Sequence, residues 1–90
     1  MAKTPVRRAT AADILKILNA HSIEVFGRLR LSVHVAQLSM PADDKGPRIK
    51  VSIRPGSKVE VPSRLTFELN GQNIQVPLET AEDYQVYSLQ

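Results

Sequence analysis

Arg28-Leu29-Arg30-Leu31-Ser32-Val33-His34-Val35 and Arg48-Ile49-Lys50-Val51-Ser52-Ile53-Arg54 each alternate an apolar residue with a basic or polar one. Successive side chains on a strand point to opposite faces, so both stretches read as strands with their odd-numbered residues packed inward. The outward set is then Arg28, Arg30, His34, Arg48, Lys50 and Arg54. Cations on such strands stand about 6.6 Å apart, and pairing the strands merges them into one basic surface.

The flanking sequence supplies the other elements. Residues 1–9 carry Lys3, Arg7 and Arg8 and read as a flexible basic arm ahead of a single small domain over 10–90. Thr10 suits a helix N-cap and Asp13, three residues on, completes a capping box. Ile14, Leu15, Ile17 and Leu18 share one stripe, which predicts a helix from about Ala11 to Ala20. Ile23 and Val25 share the odd parity of Leu29–Val35, which favours an early strand start with Gly27 at a bend; helix continuing to Phe26 is the alternative.

Met40–Pro47 is polar, with two prolines and a glycine, and reads as the loop between the two basic strands. Lys58–Val61 reads as a short further strand before Pro62. Asn70-Gly71 is the preferred pair for a type I′ hairpin. Folding there sets Phe67 opposite Ile74 and Leu65 opposite Val76 on one face, with Thr66–Gln75 and Glu68–Asn73 on the other. Pro77 lacks an N–H, which suggests a sheet-edge position for the second arm. Thr80–Asp83 reads as a polar break, and Tyr84–Leu89 as a final strand or a partner-ordered tail.

One helix followed by five or six short strands predicts an α+β fold, the helix packed on a mainly antiparallel sheet; a small open β-barrel is the alternative. A lone helix covers one sheet face, leaving the other to solvent or a partner. The chain has 90 residues and no cysteine, which excludes disulfides and thiolate metal sites. With no signal-like apolar run and no span of about 18 apolar residues, a cytoplasmic protein without membrane contact is expected.

Charge is unevenly distributed. All 12 Lys and Arg lie between Lys3 and Arg64, where the net charge is +7; from Leu65 onward there are only acids, giving −4. Either the basic part meets an acidic partner, or the two parts pair, within one chain or between subunits.

Catalytic and metal motifs are missing from the sequence. His21 and His34 lack zinc-ligand spacing, and His34 reads as a solvated side chain. Asp43-Asp44 lacks the ligand spacing of a calcium loop. The four glycines are dispersed, so no phosphate-cradling loop is formed. These features predict a non-enzymatic interaction module without cofactor or metal. It would bind a protein partner, or itself as a homo-oligomer, through an exposed basic sheet face or edge. Arg28, Arg30, His34, Arg48, Lys50 and Arg54 would supply charge, with Tyr84 and Tyr87 as anchors. Sequence-nonspecific nucleic-acid binding by the same face is the alternative, although aromatic platforms are not interleaved with the cations.

Overall fold

A computed structural model describes residues 6–31, 36–56 and 59–84. Strand β1 (Val6–Arg8) leads into helices α1 (Ala11–Ala20) and α2 (Ser22–Leu29). Strands β2 (Ala36–Ser39), β3 (Ile49–Ile53), β4 (Arg64–Leu69) and β5 (Gln72–Ala81) follow. The fold is a small α+β arrangement, an open five-stranded mixed sheet with two helices among the described residues. It does not close into a barrel.

The N-terminus of α1 forms as its residues dictate. Thr10 is extended (φ −91°, ψ 169°), its hydroxyl accepts from the Asp13 N–H at 3.2 Å, and its own N–H donates to the Asp13 carboxylate at 2.8 Å. A cap of this kind contributes about 1 kcal/mol. The same carboxylate accepts from both terminal nitrogens of Arg7, at 2.6 and 3.1 Å, and Arg7 Nε donates to Gln72 at 2.8 Å. The stretch expected to be a flexible arm is therefore structured from Val6 onward. There β1 runs parallel to β5, and Ala9 is buried with its N–H bonded to the Gln75 carbonyl.

Residues 22–29 form a helix, where odd parity favours a strand. Val25 and Leu29 are buried one helical turn apart with Phe26 beside them, whereas Ile23, which strand parity would place inward, is 84% exposed. Odd parity and the i, i+4 spacing coincide over this stretch, so alternation did not discriminate them. Glu24 in the first turn and Arg28 in the last complement the helix dipole. The helix ends in a Schellman pair: Leu31 N–H bonds to the Phe26 carbonyl at 2.9 Å and Arg30 N–H to that of Gly27 at 3.2 Å. Arg30 takes the left-handed conformation this requires (φ 55°).

The Asn70-Gly71 hairpin has the expected register, Phe67 opposite Ile74 and Leu65 opposite Val76. Both turn residues have positive φ, 53° and 77°, as a type I′ turn demands. Its second arm, however, is the central strand. β5 pairs with β4 antiparallel, with β1 parallel over Asn73–Gln75, and with β3 parallel over Leu78–Ala81. Two parallel pairings make the sheet mixed, with the antiparallel pairs β4–β5 and β2–β3 holding the larger share of the register.

Pro77 is accommodated inside β5 because Leu78 N–H points at β4, bonding to the Ser63 carbonyl. Donors alternate along a strand, so the missing N–H of Pro77 faces the opposite side, where the β1 register has already ended at Gln75. Pairing with β3 also carries β5 through Thr80 and Ala81, half of the expected polar break. Val59 and Val61 lean on the core, but Val59–Val61 form no ladder among the described residues, contrary to expectation; Lys58 lies outside the described residues.

The core lies between the helices and one sheet face. Ile14, Ile17 and Val25 from the helices meet Ile49, Val51, Phe67, Ile74 and Val76, all fully or nearly fully buried. The opposite face presents Arg8, Thr66, Glu68, Asn73, Gln75, Lys50 and Glu79, as the alternation and register require. No described helix is long and apolar enough to cross a membrane.

Candidate functional site

The structure divides the expected basic surface. Arg28 lies in α2 with its guanidinium carbon 5.7 Å from the centre of the Phe67 ring, in cation–π geometry. Arg30 is the left-handed residue that ends this helix. Both therefore stand at the end of α2, not on a strand beside β3. His34 and Tyr87 lie outside the described residues. Arg48, Lys50, Arg54 and Tyr84 do come together along β3: Arg48 and Arg54 flank it, Lys50 lies within it, and Tyr84 N–H bonds to the Ile53 carbonyl at 3.1 Å.

Two of those three cations are already engaged. Arg48 grips Asp43 through two parallel bonds of 2.8 and 2.7 Å, donates to the Gly46 carbonyl at 3.1 Å, and holds Glu79 at 3.4 Å. Its side chain is only 11% exposed. The Arg48 guanidinium holds the Asp43 carboxyl well below the usual carboxylate range, and Asp43 in turn pushes Arg48 up. Lys50 Nζ sits 2.6 Å from Asp83, which lowers the Asp83 carboxyl and raises Lys50. Glu79 and Asp83 belong to the acidic C-terminal part, so two contacts inside the chain join it to the basic part. Among the described residues Arg54 makes no ion pair and is exposed.

A cleft of about 240 Å³ opens beside the β2–β3 loop, lined by Ala11, Met40, Pro41, Ala42, Asp43, Gly46 and Pro47. Its one ionisable group, Asp43, is the carboxylate that Arg48 occupies. No cluster of potential metal ligands forms among the described residues.

Sequence reasoning missed the free side of β2. This strand ends the sheet order, pairing with β3 from Ala36↔Ile53 to Ser39↔Lys50 and with nothing else among the described residues. Natural edge strands are guarded by shortness, charges, prolines, bulges or a covering loop, and β2 with its four residues is short. β1 carries Arg7 and Arg8, and β4 carries Arg64 and Glu68, but Ala36-Gln37-Leu38-Ser39 carries neither charge nor proline. That absence is the signal the sequence carries, and it lies outside the alternating stretches. Comparison with known proteins gives no match: no family model fits the chain, and no curated protein or solved structure is significantly similar to it.

Proposed function

We propose that this chain is a non-enzymatic interaction module that adds an extended protein segment, from a second copy or another protein, to the edge of β2 that is unpaired among the described residues. The observation that carries this reading is the outer side of β2, which has no strand partner among the described residues and carries no charge or proline, so that its outward N–H and C=O groups are a template for a further strand. The half-buried Leu38 and the exposed Gln37 would give an added strand one apolar and one polar side to match. Neutralisation of Arg48 and Lys50 within the chain favours the edge over the basic face, and it weighs equally against nucleic-acid binding.

The test combines light scattering across a wide concentration range with selection from a displayed library of extended peptides. The reading expects self-association or selected strands, either one weakened by replacing Gln37 and Ser39 with lysine. A chain that stays monomeric and selects no peptide, or whose ligands are indifferent to both lysines, would refute it.

A further inference from the structure

We infer that Asn70 is a self-modification site, at which the chain converts its own hairpin turn and thereby ages β5. The inference is independent of the edge reading. Asn70 and Gly71 are both exposed at the tip of the β4–β5 hairpin, and among the described residues the Gly71 N–H has no backbone acceptor. Gly71 has no Cβ, and apart from its chain neighbours nothing comes within 4 Å of the place where one would stand. The neighbouring N–H is therefore not held by a backbone acceptor and no distant part of the chain crowds the turn, while a hairpin tip is among the first places a fold opens locally.

The step balances without any helper except water. The Gly71 nitrogen loses its proton and attacks Cγ of the Asn70 side chain. A C–N bond closes a succinimide ring, the bond from Cγ to the amide nitrogen breaks, and that nitrogen leaves as ammonia with the proton. Water then opens the ring at one carbonyl or the other, giving aspartate or isoaspartate.

The two products have different structural consequences. Asp-Gly suits the same type I′ turn, so aspartate preserves the hairpin and adds a negative charge near Glu68. Isoaspartate routes the backbone through Cβ and lengthens a two-residue loop by one atom. That strains the register next to the turn, Leu69↔Gln72 first, in the strand that β1, β3 and β4 all join. Asn19 and Asn73 are internal controls: Asn19 lies within α1 before Ala20, and Asn73 within β5 before the buried Ile74.

The experiment incubates the native chain in warm, mildly alkaline buffer, maps peptides for loss of the side-chain amide, and separates the products for thermal melting. The expected result is conversion at Asn70 before Asn19 or Asn73, with the isoaspartate form melting lower and an N70D variant melting like the parent. Conversion first at another asparagine, or conversion only when the chain is unfolded in urea, would overturn the site. An isoaspartate form that melts like the parent would overturn the structural consequence.

Discussion

Replacing Gly27 with alanine tests the segment where the structure departs most from the alternation pattern. In α2, Gly27 is an exposed helical position, and an added Cβ meets nothing within 4 Å. Alanine is better than glycine inside a helix by about 0.8–1.0 kcal/mol. Gly27 lies two residues from the end of α2, where fraying reduces that gain, so we expect about 0.5 kcal/mol. For a domain of this size, that is a rise in melting temperature of about 2–4 °C. The sign discriminates the alternatives, because a glycine at a bend in a strand would be harmed by a side chain. The matched control is Gly71→Ala, whose φ of 77° makes alanine cost roughly 1–2 kcal/mol. Thermal denaturation of the two variants reads both effects. A fall in melting temperature for Gly27→Ala would refute the placement of α2.

Ile74→Ala empties a fully buried position on the central strand and should cost about 2–5 kcal/mol. Measured by urea denaturation, that is a large part of the roughly 5–13 kcal/mol expected for a chain of 90 residues. Acid should weaken the fold with a definite sign. Asp13, Asp43 and Asp83 all have lowered pKa values in the folded chain, so the unfolded chain takes up protons first as pH falls. Their stabilisation is complete above the ordinary carboxylate range and lost progressively below it; Asp13→Asn should flatten the melting-temperature profile between about pH 5 and 3. Removing the internal counter-charges with Glu79→Gln and Asp83→Asn frees Lys50 and loosens one contact of Arg48. That double variant should bind a single-stranded oligonucleotide more tightly than the parent at low salt, with affinity falling steeply as salt rises. Equal affinities would show that these pairs do not mask the cations.

The parts legible in the sequence are those fixed by neighbours along the chain. Thr10 with Asp13 and Asn70-Gly71 with its flanking alternation each specify their local geometry, and both form as read. Local signals failed where two periodicities coincide, as at Val25 and Leu29, whose separation of four suits a helical turn and a strand face equally. They failed also where long-range pairing decides. Nothing in Val6-Arg7-Arg8 announces a strand until β5 lies beside it, and Pro77 misled because its missing donor falls where no partner is paired. The candidate surface followed the same logic. Which residues were cationic was visible, but Lys50 meets Asp83 across 33 positions, and no local pattern reveals such a pairing.

Edge pairing is read most directly at the outer amides of β2. In an antiparallel ladder, N–H groups alternate between the partner strand and the outside. Residue-resolved hydrogen exchange on the dilute chain should therefore show alternating slow and fast amides over Ala36–Ser39, the fast ones slowing once a selected extended peptide is bound. Outer amides already protected in the dilute monomer, or still fast with the peptide at saturation, would contradict it.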